Sequence, residues 1–493
     1  MINLVQNAEN HLQRIAIKSG GKSYTYQQLL EASKNIAIEL LQGKDDLEEK
    51  RIAFLVQPGF KYTAIQWGIW RAGGIAVPLC VKHPFSSIKY VIDDTSAAVV
   101  ICSPDFEELL SPLRNTAEIR FLTSESFPET QANLPDIAMH RRAMILYTSG
   151  TTGNPKGVVT THDNIETQIT ALTTSWEWHK DDHILNVLPL HHVHGIINVM
   201  SCALWTGACC EFLPKFDADK IFEIFGRKEV NIFMAVPTIY YKLIAHYKEL
   251  DKEGQNEISE ALKDFRLMVS GSAALPVSVL EEWKVISGHT LLERYGMTEM
   301  GMAISNSYRE QRMPGYIGLP LHKVTVRIAD EQNTEVAVGS QGEIQVKGPN
   351  VFKEYWGKPE ATAQTFTEDG WFKTGDIAVF ENGCYRILGR NSVDIIKSGG
   401  YKISALEIEE ILRKHPQIKE CGVVGIPDAE WGEIIGASLI LSSNEIDLDA
   451  LKDWLKDKLP GYKMPRKYIF QKDLPRNVMG KVTKKELQKL FTN

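Results

Sequence analysis

A chain of 493 residues is too long for one hydrophobic core and implies about two to four domains. A net charge of −7, with 43% hydrophobic and 24% charged residues, describes a well-buried globular protein and argues against general nucleic-acid binding. No apolar run reaches membrane-span length, and the seven cysteines include no CxxC, which points to buried thiols and not to a disulfide framework or a zinc site. With no secretory apolar segment near the N-terminus, the cytoplasm is the expected location.

In chain order, short apolar runs alternate with helical patterns. RIAFLV (51–56) precedes a helix through Gln66–Ala72, and GIAVPLC (74–80) precedes one through Val91. AAVVICS (97–103) follows, then NIFMAV (231–236) before PTIYYKLIAHY, and FRLMVSG (265–271) before SAALPVSVLEEW. Strand, Gly or Pro punctuation, helix: this alternation predicts α/β layers around a largely parallel sheet. Near residue 320 the texture changes to short alternating strands, HKVTVRIAD, GEIQVKG and CYRILGR, with turns at Asp369-Gly370 and Asn382-Gly383. A small β-rich, barrel-like subdomain is expected over about 320–390. KISALEIEEILRKHP then starts afresh, with Ser404 and Glu407 spaced as a capping box. The expected division is therefore 1–390 and a small α+β domain over 391–493, rich in Lys and Arg from Lys458 onward.

The stretch YTSGTTGNPKGVVTTH (147–162) offers backbone N–H groups, hydroxyls and one Lys, the composition of a loop that wraps phosphate. A Walker loop is excluded: Pro155 stands where its second Gly belongs, and Gly157 follows Lys156 in place of Ser or Thr. VVTTH moreover favours a strand where that motif needs a helix.

Four further stretches accompany this loop: ERYGMTEMG (293–301), WFKTGDIA (371–378), GRNSVDIIKSGGYKIS (389–404) and PRNVMGKVTKKEL (475–487). Together, in this order and across nearly the whole chain, they resemble the acyl-activating, adenylate-forming superfamily. The resemblance implies a large AMP-binding domain with a small mobile C-terminal domain, ATP, Mg²⁺ and coenzyme A as co-substrates and cofactor, and AMP-forming acid–thiol ligation. It also implies roles. Thr148, Ser149, Gly150, Thr151, Thr152, Gly153 and Lys156 would cradle phosphates. Ser270, Gly271, Ser272, Ala273 and Tyr295 would border the adenine, Gly296 and Met297 would also bind ATP, and Thr298 would stand near the α-phosphate. Glu299 would hold Mg²⁺, Asp376 and Arg390 would meet the ribose, and Lys481 would serve the first half-reaction. Ser398, Gly399, Gly400 and Lys402 would approach coenzyme A in the second, after rotation about Asn391, Ser392 or Asp394.

LPLHHVHGI (188–196) holds three histidines without a Cys or carboxylate cluster, which disfavours a metal; by resemblance His192 lies near the acyl carboxylate. Before the Tyr of YGMTE many relatives carry a small residue, whereas this chain has Arg294. With His194 and Met302, Arg294 would shape an acyl pocket suited to a second carboxylate. The surrounding stretches resemble the malonyl-CoA synthetases, so malonate, with methylmalonate as a second acid, is the expected substrate. The alternatives are a short- or medium-chain monocarboxylate and a carrier-protein thiol as acceptor.

Overall fold

The computed structural model describes residues 2–114, 119–125, 127, 132–148, 155–442, 445–477 and 480–491. The expected α/β layering is present as two large sheets instead of one. A nine-stranded sheet has a parallel centre built from Leu292–Met297, Leu267–Ser270, Ile232–Ala235, His183–Asn186, Cys209–Phe212 and Ile15–Ser19. A seven-stranded sheet is parallel from Arg142–Thr148 through Ile75–Pro78, Arg51–Leu55 and Val99–Cys102 to Arg120–Thr123. The central strands of both are buried end to end because helices cover both faces, so they read as continuous Val, Ile and Leu runs. Trp67, Trp70, Trp176 and Trp283 fill the spaces between sheets and helices.

Pro237 opens the helix Pro237–Glu249, where its missing N–H costs nothing. After Lys156 the chain runs as the strand Lys156–Thr161, antiparallel to Arg142–Thr148 with Thr148 opposite Lys156. The phosphate-loop sequence therefore joins two strands of a hairpin, as the failed Walker match implied. Ser149 to Gly153 lie outside the described residues.

A separate four-stranded antiparallel sheet comprises Thr325–Ala329, Gln341–Lys347, Phe372–Glu381 and Cys384–Arg390. Its tightest turn is Asn382-Gly383, both left-handed at φ 52° and 76°. Beyond Arg390 a short turn leads to a five-stranded sheet that starts at Ile395–Ser398. The helix Ala405–Leu412 packs on this sheet and is capped by Ser404, whose Oγ accepts from the Glu407 N–H at 3.3 Å. The expected capping box is only half made. The Glu407 carboxylate turns instead to Arg386 at 3.3 Å and Lys463 at 2.6 Å, because two cations outbid one backbone N–H. Arg386 belongs to the four-stranded sheet, so this carboxylate ties the two sheets together.

Candidate active site

In open parallel sheets, ligands collect beyond the carboxyl ends of the strands. Several of the motif residues lie there. Gly271 and Ser272 follow the strand Leu267–Ser270, and Tyr295 to Met297 end the neighbouring strand. His194 begins a π-helix, His194–Ser201, after the strand His183–Asn186. Such wide turns occur mostly where a site is built.

Arg294 is 3% exposed. Successive strand residues face opposite ways, so Arg294 and Glu293 are not paired: the Glu293 carboxylate accepts from the Gly315 N–H at 2.9 Å, while Arg294 Nη2 donates to Ser272 Oγ at 3.2 Å. Ser272 Oγ also lies 3.2 Å from His194 Nδ1, so three polar side chains meet at one hydroxyl. Ser272 holds a left-handed φ of 69°, a strained conformation that aims it there. Arg294 Nε and Nη1 and His194 Nε2 are buried and make no hydrogen bond. Burial lowers the Arg294 pKa to about 9, which leaves it a cation at neutral pH, and holds His194 uncharged. A buried guanidinium with two unpartnered donor nitrogens fits a planar anion.

The stretch expected to border adenine thus also supplies the hydroxyl that Arg294 and His194 share. A β-carbon on Gly271 would lie 2.6 Å from Arg294 Nη1, so only glycine allows the guanidinium to lie over this backbone. Ala273 is exposed, and Ser270 Oγ is buried without a partner. Met302, expected to line the acyl pocket, is 1% exposed. Gln168 donates to its carbonyl at 3.0 Å and accepts from its N–H, and its Cε lies under Gly296, so it packs the floor of the turn.

The rings of His191 and His192 meet tilted at 48°, with centroids 4.0 Å apart. Burial, with nearby Lys481, lowers the His192 pKa to about 4, so it faces the cleft as a neutral ring. Among the described residues, no three-ligand group includes these histidines.

On the nucleotide side, Tyr295 Oη donates to Asp376 Oδ2 at 2.6 Å, and Arg390 Nε stands 3.6 Å from Asp376 Oδ1. Burial raises the Asp376 pKa, and Arg390 opposes it. Arg390 is held by the Thr374 carbonyl, which accepts from Nη2 at 2.6 Å. Glu299 is buried in the turn between Leu292–Met297 and Gly301–Ser305, with Thr298 half-buried beside it. Its Oε1 accepts from Tyr355 Oη at 2.8 Å, and a carboxylate is the ligand type that a hard cation such as Mg²⁺ prefers. Lys156 Nζ stands over the Tyr355 ring at 4.9 Å, so the end of the phosphate loop reaches the same corner.

Lys481 arrives from the C-terminal end of the chain. Protein surrounds its ammonium, yet solvent reaches it, as at the wall of an open cleft. This crowding and the charge of Arg294 lower its pKa, and Asp376 opposes the shift. A β-carbon on neighbouring Gly480 would lie 3.4 Å from Thr238 Oγ1, on the far wall. Ser398 to Lys402 do not join this cluster. Gly399 and Gly400, at φ 55° and 84°, form the two-residue turn of a hairpin, and Lys402 pairs with Glu331 at 2.7 Å.

The model of the AMP-binding enzyme family matches residues 4–356, and that of the AMP-binding enzyme C-terminal domain matches residues 407–481. The chain belongs to the AMP-binding enzyme family. The mitochondrial malonate–CoA ligase ACSF3 of Bos taurus is 45% identical, over 96% of this chain and 88% of its own. ATP-bound MatB from Rhodopseudomonas palustris superposes with a TM-score of 0.91 at 33% identity, covering 100% of this chain and 99% of that one. Apo MatB, with the same identity and coverage, gives 0.82. The arrangement seen here thus superposes better on the ATP-bound form of that protein than on its apo form.

Two site residues carry no sequence signal. Tyr355, which orients Glu299, lies in an unremarkable VFKEYWG stretch. Gln168, on the helix His162–Ser175, reaches Met302 across more than a hundred residues of sequence.

Proposed function

We propose that this chain is an ATP-dependent malonate–CoA ligase that forms malonyl-AMP and then malonyl-CoA, releasing diphosphate and AMP. One observation carries the choice of acid: a buried Arg294 with two unpartnered donor nitrogens, backed by Gly271 and bridged through Ser272 to a neutral His194. A hydrocarbon tail would leave that cation buried and unpaired, whereas the distal carboxylate of malonate supplies its counter-charge. The names of the relatives agree.

A carboxylate resists thiol attack because its oxygen leaves poorly. In the first half-reaction one malonate carboxylate attacks the α-phosphate of ATP. Lys481, near Arg294 and Asp376, is placed to offset charge developing on the oxygens between them. Asp376, oriented by Tyr295 and Arg390, is suited to accept from ribose hydroxyls. Glu299 would hold Mg²⁺ through its carboxylate, and that ion would neutralise phosphate charge. In the second half-reaction the thiol of coenzyme A attacks the acyl carbonyl and AMP leaves. The neutral ring of His192 suits a residue at the approach of an uncharged thiol.

We further propose that residues 391–493 rotate as a unit between the two steps, pivoting in the turn after Arg390. Asp394 is the best-placed pivot of that turn. It accepts from the Arg390 N–H at 3.0 Å and pairs with Lys484 at 3.7 Å, so it touches both units. Coenzyme A-dependent AMP release over C2–C8 mono- and dicarboxylic acids tests the reading. Malonate should give the highest kcat/KM; a preference for monocarboxylates would replace it.

A further inference from the structure

We propose that this chain also binds one divalent transition-metal ion, held by His183, Glu211 and Glu229, away from the reaction cleft. His183 opens the strand His183–Asn186, at the amino end of the parallel strands, whereas the nucleotide-side residues lie beyond their carboxyl ends. Glu211 is on the adjacent strand Cys209–Phe212, and Glu229 precedes the strand Ile232–Ala235. The three ligand atoms lie within 4.8 Å of one another, the one such group among the described residues.

His183 and Glu211 are each 8% exposed, and His183 Nε2 and Glu211 Oε2 stand 3.1 Å apart without a hydrogen bond to any group. Two buried ligand atoms thus face each other unsatisfied. Tetrahedral coordination at about 2.0–2.2 Å spaces donor atoms roughly 3.3–3.6 Å apart, so an ion fits between them with a small opening of the pair. Each carboxylate is already oriented through one oxygen. Arg227 Nη1 lies 3.4 Å from Glu211 Oε1, and Lys18 Nζ donates to Glu229 Oε2 at 2.5 Å. That leaves Glu211 Oε2 and the second oxygen of Glu229 for the ion, while each nearby cation offsets part of the carboxylate charge that would attract it. One imidazole nitrogen and two carboxylates favour the zinc class over Mg²⁺ or Ca²⁺, which prefer all-oxygen sites. Glu229 is exposed and, with Lys18, Asp181 and Cys209, lines an open cavity that gives the ion its way in. The two cations balance the two carboxylates, so Lys18 competes with the metal for Glu229.

The test uses the untagged, chelator-stripped full chain without nucleotide, titrated with Co²⁺ and followed by its visible absorption. Wild type should take up one Co²⁺ per chain, displaced by Zn²⁺. His183→Gln should weaken binding by at least about tenfold, as should the exposed-site variant Glu229→Gln, which does not disturb the core. Lys18→Met should tighten it, because removing the competing ammonium frees the Glu229 carboxylate. Malonate ligation with Mg-ATP should stay within about twofold of wild type in all three variants, which separates this proposal from the ligase reading. Absence of stoichiometric Co²⁺ absorption, or absorption indifferent to both His183→Gln and Glu229→Gln, would overturn the assignment.

Discussion

The guanidinium of Arg294 lies over the backbone of Gly271 with room for a hydrogen atom and none for a methyl group: an added β-carbon would sit 2.6 Å from Nη1 and 2.7 Å from Cζ. Gly271→Ala should therefore displace the cation without removing it. Malonate kcat/KM should fall by about one to two decades, the cost of disturbing a positioned charge pair, while thermal stability falls by no more than about 1–3 kcal/mol. Steady-state kinetics beside a thermal melt checks this. An unchanged malonate kcat/KM would mean that Arg294 need not lie where it does.

Tyr355 Oη donates to Glu299 and is one of the groups that hold its carboxylate ionised against burial. Tyr355→Phe removes a donor to the charged form, so the Glu299 pKa rises further. The acid limb of the kcat/KM profile for Mg-ATP should accordingly move to higher pH, and the Mg²⁺ needed for half-maximal rate should increase. If the limb stays in place, a different group sets it.

Lys481→Ala should nearly abolish malonyl-AMP formation and leave thioester formation from supplied malonyl-AMP largely intact, since its ammonium lies within the electrostatic reach of Arg294 and Asp376 in the arrangement seen here. The two half-reactions are measured separately, by pyrophosphate exchange and by coenzyme A-dependent AMP release. Equal losses in both would contradict the division of labour.

Gly400→Leu should do the reverse. No atom lies within 4 Å of an added β-carbon, so the side chain projects into open space, but φ of 84° imposes a strain of about 1–2 kcal/mol on the hairpin turn. Pyrophosphate exchange should persist while transfer to coenzyme A falls. Collapse of exchange with survival of transfer would place this hairpin in the wrong half-reaction.

Much of this was legible in the sequence because it is written locally. The alternation of apolar runs with helices, the Asn382-Gly383 turn and the strand at VVTTH each follow from neighbouring residues. Arg294 was legible as a cation just before the Tyr of YGMTE. Its support was not: Ser272, His194 and Gly271 come from other segments and meet it only through the sheet. The Ser404–Glu407 spacing misled for the same reason, since Arg386 and Lys463 reach Glu407 from outside its helix.

The most direct test of the account is the malonate-to-butyrate ratio of kcat/KM, in wild type and in Arg294→Ala. Breaking a buried charge pair costs about 3–5 kcal/mol, roughly two to four decades, so malonate should fall by that much. Arg294→Lys should rescue poorly, because an ammonium lacks the planar fork that grips a carboxylate. Butyrate, which offers the cation nothing, should lose far less or gain, and the ratio should collapse. A fall by the same factor for both acids would mean that Arg294 serves the nucleotide or the fold, and would contradict the malonate assignment.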